Sequence, residues 1–308
     1  MRWAMRMRQQ KKQLHISPYP TEKKAWQDCL KAYVIRWLRY KFFFCIILCE
    51  KDGTFLLKKV KMKTMMKAYE NYILDLYGTL VDIHTDEWKA SFWKKMAVYF
   101  CKEGASYSYR ELKEAYFNKV KELEKQRTEK GHHIEIDIKE VFCYLYKDKG
   151  IDADERRIAK TASCFRKASL SRLRLYAGAK ELLTFLKKEG KGVYLLSNAQ
   201  ELFTLSEIKE LGIEDLFDDI AISSVIGYKK PDPAFFKALL KKHHLDQKKC
   251  LMIGNDPICD IEAALAVGMD AYYIHSNLSP KGLSTKKATY VMEGMDLKSL
   301  RRQIRSSF

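Results

Sequence analysis

Proline is scarce in this chain. Six occur in 308 residues, and none falls between Asp86 and Tyr176. Glycine adds only 14. So few breakers exclude a low-complexity chain, and 47% hydrophobic with 31% charged residues is the composition of an ordered globular protein. The length suffices for one large core or two smaller ones. Long apolar runs are missing as well. The longest, Phe42 to Cys49, has eight residues, against roughly 20 for a bilayer span. No transmembrane segment is expected. No small-residue cleavage pattern follows an apolar stretch, so no signal peptide is expected either. Trp37, Phe42, Phe43 and Phe44 leave interfacial attachment as a minor alternative. Paired cysteine motifs are absent too. Eight cysteines occur, without a CxxC pair or a histidine cluster at zinc spacing. They read as reduced, mostly buried residues of a cytoplasmic protein.

Acidic residues are few at one end only. Residues 1–64 carry 16 lysines and arginines against 4 acidic residues, which is +12 of the formal +18. Basicity therefore belongs to the head. The remainder is not read as a nucleic-acid binder. The head, 1–64, is read as a basic extension or as the product of a start placed upstream of the natural one near Met65.

From residue 72 the pattern becomes regular. A short strand around Tyr72 to Leu76 is broken by Gly78. Residues 85–176 then read as a helical insertion. Trp88, Phe92, Trp93, Met96 and Phe100 recur at helical spacing, as do Leu112, Tyr116, Val120 and Leu123. Val141, Phe142, Leu145 and Tyr146 mark a third helix, and Asp154 to Arg174 a fourth. These stripes, on the scale of six helices, are read as the core of a bundle. After Gly178, helices and buried strands alternate: AKELLTFLKKEG, KGVYLLSNA, LFTLSEIKELG, IAISSVIG, DPAFFKALLKKHHL, KKCLMIGND, ICDIEAALAVG and AYYIHSN. That rhythm implies parallel pairing with right-handed crossovers. The fold class is α/β: a doubly wound, mostly parallel Rossmann-like sheet, residues 65–84 and 177–308, carrying an inserted α-helical cap, 85–176. A ligand site belongs at the carboxyl ends of its strands.

Those ends hold polar groups: Asp75; Ser197 with Asn198; Lys230 before Pro231; and Asn255 with Asp256, followed by Asp260. Each alone is a turn or a helix cap. The four in this order resemble the haloacid-dehalogenase-like (HAD) hydrolase superfamily, in the subgroup with a helical cap after the first motif. DLYGTLVD, SN, GYKKPDP and GNDPICD carry the resemblance, which covers about residues 70–300.

The resemblance implies roles. Asp75 is the expected nucleophile, forming an aspartyl intermediate. Thr79 supports its loop and Gly78 provides the turn for an anion nest. Ser197 and Asn198 hold the substrate. Lys230 neutralises the nucleophile and developing charge. Asp75, the carbonyl of Tyr77 and Asp256 bind Mg²⁺, with Asn255 and Asp260 completing or orienting the shell. A carboxylate attacking a phosphate dianion needs such cations on both sides, and Mg²⁺ takes hard oxygen ligands. The expected partner is a small phosphorylated molecule.

Tyr77 departs from that pattern. Most phosphatases of the superfamily place an aspartate there as acid and base. A phenol titrates near 10 against about 4 for a carboxylate, and losing general acid catalysis costs about 10²–10⁴ in rate. Asp-x-Tyr-Gly-Thr is usual in the metal-free L-2-haloacid dehalogenase branch, which takes its halide on a cap arginine. Arg110 is the candidate, although YRELKEAY reads as an ordinary helix. Asn255-Asp256 favours the metal-binding branch instead. His84, Asp86 and Glu87 are candidate substitutes for the acid, with linker residues as the simpler reading. The expectation is therefore a Mg²⁺-dependent phosphoric monoester hydrolase. The alternatives are the dehalogenase and a weakly active or inactive phosphate-binding, regulatory protein.

Overall fold

The computed structural model describes residues 66–128 and 132–308, together with the backbone of two strands nearer the amino end. These strands, β1 (Phe44–Cys49) and β2 (Phe55–Val60), pair antiparallel with Phe44 opposite Val60. They belong to a unit, Met1–Met65, separate from the unit Met66–Phe308. The expectations about the start near Met65, the aromatic side chains of the head and its cysteines lie outside the described residues.

The larger unit opens with β3 (Asn71–Leu74) and β4 (Val81–Thr85). Four helices follow: α1 (Ala90–Lys102), α2 (Tyr109–Thr128), α3 (Ile138–Lys147) and α4 (Glu155–Ser169). The chain returns through β5 (Leu170–Leu175), α5 (Ala179–Lys188), β6 (Gly192–Ser197), α6 (Glu201–Glu210), β7 (Asp219–Ile222) and the short α7 (Ser223–Ile226). It ends with α8 (Pro233–Lys242), β8 (Cys250–Gly254), a π-helical turn Pro257–Glu262 running into α9 (Ala263–Ala266), β9 (Asp270–Ile274), β10 (Tyr290–Met292) and α10 (Leu297–Arg305).

Six strands form one parallel sheet in the order β10-β9-β8-β3-β6-β7. The central ones are continuous apolar runs because helices cover both faces. Every residue of β8 is buried. One apolar cluster, with Leu74, Leu183, Leu195 and Ile253, fills one side of the sheet. Another, with Ile73, Leu196, Phe236 and Met252, fills the other. Burying one such side chain stabilises by about 1.5–3 kcal/mol, so the sheet's position is set by many of them. Leu74 pairs with Leu195 on one side and Ile253 on the other. The carboxyl ends of β6, β3 and β8 therefore lie side by side, where the chain has switched sides of β3.

The insertion is a four-helix cap on a two-stranded ribbon, smaller than the six-helix scale read from the sequence. Asp137 and Asp154 cap α3 and α4 by accepting backbone N–H bonds; such caps contribute about 1 kcal/mol each. The helix read as continuing to Arg174 ends at Ser169. Leu170 already has extended backbone, and only RLRL, residues 172–175, alternates with the period of two that suits a strand. β5 pairs antiparallel with β4, Val81 opposite Leu175. IAISSVIG divides similarly: the strand stops at Ile222 and a helical turn follows. The cap has its own core of Phe92, Trp93, Met96, Phe100, Phe142 and Phe165. Trp88 is an exception to its stripe. It precedes α1, is 71% exposed and stacks on Phe117 at 5.0 Å. Phe203, from the core helix α6, inserts into the cap cluster and stacks on Phe165 at 6.1 Å. Among the described residues no helix is long and apolar enough to cross a membrane.

Candidate active site

Asp75 follows the last residue of β3, and its backbone N–H donates to the Ile253 carbonyl of β8 at 3.0 Å. The loop turns at Gly78, with φ +89°, and a Cβ there would lie 2.4 Å from Asn255 Nδ2. Both the left-handed backbone and the close approach require glycine. Thr79 Oγ1 lies 3.1 Å from Asp75 Oδ2 and 3.3 Å from Asn255 Oδ1, a hydroxyl donor shared by two acceptors. Asn255 Nδ2 is 3.5 Å from Ser276 Oγ. Gly254 performs a similar service, since a Cβ would sit 2.3 Å from the Asp260 carboxyl.

Lys230 is the centre of the cluster. It is 3% exposed, and Nζ donates to Asp75 Oδ1 at 2.7 Å, Asp260 Oδ1 at 2.7 Å and the Leu196 carbonyl at 2.9 Å. All three ammonium donors are used. Burial alone would lower the lysine's pKa, but Asp260 and Asp75 outweigh it and hold the ammonium above its ordinary value. Burial, with the like charge of Asp75, raises Asp260 against the pull of Lys230. Asn198 grips the lysine's backbone, Nδ2 donating to the Lys230 carbonyl at 2.9 Å and Oδ1 accepting from its N–H at 2.7 Å. Asp260 Oδ2 accepts from the Asp256 N–H at 2.9 Å. Asp256 Oδ1 accepts from Ile258 and Cys259 N–H, both at 2.8 Å, so it also caps the turn that follows.

Two features point outward from this network to a ligand. Ser197 Oγ, in a residue 1% exposed, has no hydrogen-bond partner, although such burial costs about 1–3 kcal/mol. And the site sets three carboxylates against one ammonium: Asp75 and Asp260 touch Lys230 Nζ, and Asp256 caps the turn that carries Asp260. The excess negative charge fits a divalent cation held by hard oxygens. Among the described residues no group of three or more histidine, cysteine or acidic side chains could hold a metal alone. Both Asp260 oxygens and the Asn255 amide are engaged within the protein. A cation here would take Asp75, Asp256 and backbone or water oxygens, with Asn255 and Asp260 orienting them.

The Tyr77 phenol serves a different network. It donates to Glu207 Oε2 at 2.5 Å and meets Thr204 Oγ1 at 3.1 Å. Burial first, then the Glu207 carboxylate, pushes its pKa well above the ordinary phenol range. Glu207 is 3% exposed. Burial raises its pKa and Arg166 of the cap opposes that. Arg166 Nε lies 2.7 Å from Glu207 Oε1, a close ion pair but not an aligned hydrogen bond. Sequence reasoning missed Glu207, Arg166 and Ser276. One signal was available: Phe203, Thr204, Glu207 and Ile208 are the buried positions of α6, and an acidic residue there interrupts the apolar stripe.

Among the described residues, the linker candidates and Arg110 make no hydrogen bond to Asp75, Ser197 or Lys230. His84 and Arg110 are exposed, the latter with Nε 3.1 Å from the Tyr109 hydroxyl. Asp86 accepts from the Trp88 and Lys89 N–H groups. Glu87 accepts from Thr85 Oγ1 at 3.3 Å.

The family of haloacid dehalogenase-like hydrolases matches residues 69–268. A glyceraldehyde 3-phosphate phosphatase of Pyrococcus furiosus is 29% identical over 42% of this chain and 53% of its own. A phosphoglycolate phosphatase of Nitrosococcus oceani is 37% identical over 31% of this chain and 42% of its own. The matched segments thus span about half the length of these relatives. Among solved structures, the magnesium-bound HAD-hydrolase YfnB of Bacillus subtilis aligns with 20% identity and a TM-score of 0.46, covering 77% of this chain and 99% of that one. The L-2-haloacid dehalogenase of Xanthobacter autotrophicus aligns with 17% identity and a TM-score of 0.46, covering 78% and 100%.

Proposed function

The chain belongs to the haloacid dehalogenase-like hydrolases, and from that premise we propose that it hydrolyses a small phosphorylated molecule through Asp75, with Mg²⁺ as cofactor. The observation that carries this reading is the buried, unpartnered Ser197 hydroxyl at a strand end adjoining Asp75 and Lys230. It is a donor without an acceptor, beside an ammonium, at the carboxyl end of a parallel sheet. A phosphoryl oxygen completes it.

Asp75 Oδ2 attacks phosphorus while Oδ1 stays on Lys230, and the bond from phosphorus to the leaving oxygen breaks. Lys230 and the Ser197 hydroxyl take up charge on the phosphoryl oxygens. Water then cleaves the aspartyl phosphate and restores Asp75. When bound by Asp75, Asp256 and the Tyr77 carbonyl, Mg²⁺ supplies positive charge that the net anionic cluster lacks. The Tyr77 phenol, committed to Glu207 and held neutral, is not a proton donor of carboxylic strength. The leaving oxygen takes its proton from solvent, which favours substrates with acidic leaving groups. The phosphatase relatives support the substrate class.

Tyr77 also favours a second reading, metal-free dehalogenation of 2-haloacids with Asp75 attacking carbon. A panel of phosphomonoesters, acyl phosphates and 2-haloacids, assayed with Mg²⁺ and with chelator, separates the two. Chelator-sensitive phosphate release is expected. Chelator-insensitive halide release without phosphatase activity sinks the proposal. Mg²⁺-dependent phosphate binding without turnover marks the weakened, regulatory alternative.

A further inference from the structure

Three segments meet at one buried carboxylate: the cap helix α4 through Arg166, the core helix α6 through Glu207, and the nucleophile loop through Tyr77. Glu207 has a cation on one oxygen at 2.7 Å and a phenol on the other at 2.5 Å. Thr204, one turn earlier on α6, meets the same phenol. The Arg166 guanidinium lies 4.5 Å over the Phe203 ring, and Phe203 stacks on Phe165, the neighbour of Arg166 in sequence. A charge buried in such an apolar interface is tolerated only while its counter-charge stays. If the cap swung away, Arg166 would leave with it and Glu207 would remain behind unpaired.

A second contact holds the cap independently. The segment between α2 and α3 is bonded to the lysine loop: Glu135 N–H donates to the Gly227 carbonyl at 3.1 Å and Lys229 N–H to the His133 carbonyl at 2.8 Å. The Glu135 carboxylate accepts from Ser223 Oγ at 2.9 Å. Both segments that carry the reacting groups, the Asp75 loop and the Lys230 loop, are thereby tied to the cap.

We propose that Glu207 and Arg166 are positioning residues that clasp the cap to the core and fix the Asp75 loop through Tyr77. Neither touches a reacting atom. The clasp transmits the position of α4 to a loop that Arg166 does not hydrogen-bond. The clasp is the same whether Asp75 attacks phosphorus or carbon.

Hydrogen exchange of the full chain tests it without any substrate. Arg166→Met is expected to speed amide exchange roughly tenfold in residues 75–80 as well as in α4 and α6, and Tyr77→Phe to do so in α4. Changes confined to the substituted segment in both variants overturn the clasp. If a lone Glu207 prevents folding of Arg166→Met, the paired variant Arg166→Met with Glu207→Leu removes both charges and keeps an apolar interface. It is expected to fold with residues 75–80 still exchanging faster; protection equal to the unmodified chain overturns the proposal. Where a substrate is turned over, Glu207→Gln is expected to lower kcat at least threefold with little change in KM, an effect a purely structural brace would not have. An unchanged kcat removes the positioning role. Absence of turnover in the unmodified chain counts against the proposed function and leaves the exchange measurement to decide the clasp.

Discussion

Replacing Lys230 by methionine tests the centre of the site through stability alone. The substitution keeps an unbranched apolar stem but ends it one atom short of the ammonium, and removes three hydrogen bonds, two of them to carboxylates at 2.7 Å. Asp75 and Asp260 touch the same nitrogen, so without it two buried carboxylates face each other. Breaking a buried ion pair by deleting one partner costs about 3–5 kcal/mol. A ceiling limits the loss, because one carboxylate can take up a proton instead. Holding an acid of ordinary pKa near 4 protonated at pH 7 costs about 4 kcal/mol. The expected loss in metal-free protein at pH 7 is therefore roughly 3–4 kcal/mol. The folded variant holds a carboxyl whose pKa lies above its unfolded value, so the folded state binds the extra proton and stability rises as pH falls. Recovery is about 1.4 kcal/mol per unit between pH 7 and the unfolded value near 4. Urea unfolding followed by tryptophan fluorescence, with chelator, at pH 7 and pH 5.5, measures both quantities. A loss below about 1 kcal/mol, or one equal at the two pH values, refutes the reasoning that a buried, proton-coupled cluster depends on this lysine.

Asp75→Asn is expected to abolish turnover, by about 10⁴-fold or more as for other nucleophiles, while leaving the unfolding midpoint unchanged or higher, because it removes one of the excess buried charges; intact phosphatase activity displaces Asp75 as nucleophile. Tyr77→Asp supplies a carboxylate where the phenol stood, and phosphomonoester turnover is expected to rise by up to about 10², at a stability cost of about 1–3 kcal/mol from the lost Glu207 partner; no gain in steady-state rate means that leaving-group protonation is not limiting. Asp82 is a buried residue of β4, bonded to Arg172 and Arg174 of the neighbouring β5. Burial would raise its pKa, but Asn277, Arg174 and Arg172 outweigh that and hold it low. Its contribution is present above the unfolded value near 4 and lost as pH falls through the depressed folded value. Asp82→Asn is thus expected to cost about 1.5–3 kcal/mol at pH 7 and progressively less below pH 4, read from unfolding midpoints across that range.

The parts of the fold legible in the sequence were those fixed by local chemistry. Continuous runs such as CLMIG read as buried parallel strands because helices on both faces demand apolar residues on both sides. DPAFFKALLKKHHL read as a helix with Pro233 in its first turn, and in α8 the Asp232 side chain accepts from Ala234 N–H. Residues 170–175 were not legible as a strand because LSRLRL follows a strong helical stripe without a proline or glycine between them. The strand is decided by pairing with β4, some 90 positions earlier in the chain. Tertiary pairing overrides local propensity in this way.

The same distinction separates the visible from the hidden half of the site. Asp75, Ser197, Lys230 and Asp256 each sit at or near the end of a recognisable element, so their types and order could be read along the chain. Glu207 and Arg166 sit inside helices whose faces are defined only by what packs on them. Their partnership exists only because α4 of the cap lies on α6 of the core, and no spacing records that. Tyr77 belongs to both halves. Read in its loop, it is the wrong residue where a carboxylate would serve as acid. In three dimensions its phenol is a donor to the buried Glu207, and an aspartate there would set one carboxylate against another across an apolar interface. The tyrosine at this position thus goes with Glu207 and Arg166 as a set. Tyr77→Asp alone trades cap attachment for an acid, whereas Tyr77→Asp combined with Glu207→Gln removes the repulsion. The pair is therefore expected to lose less stability than the two single substitutions added together, as a double-mutant cycle on unfolding midpoints measures. Additive losses would mean that Tyr77 and Glu207 act independently despite their hydrogen bond.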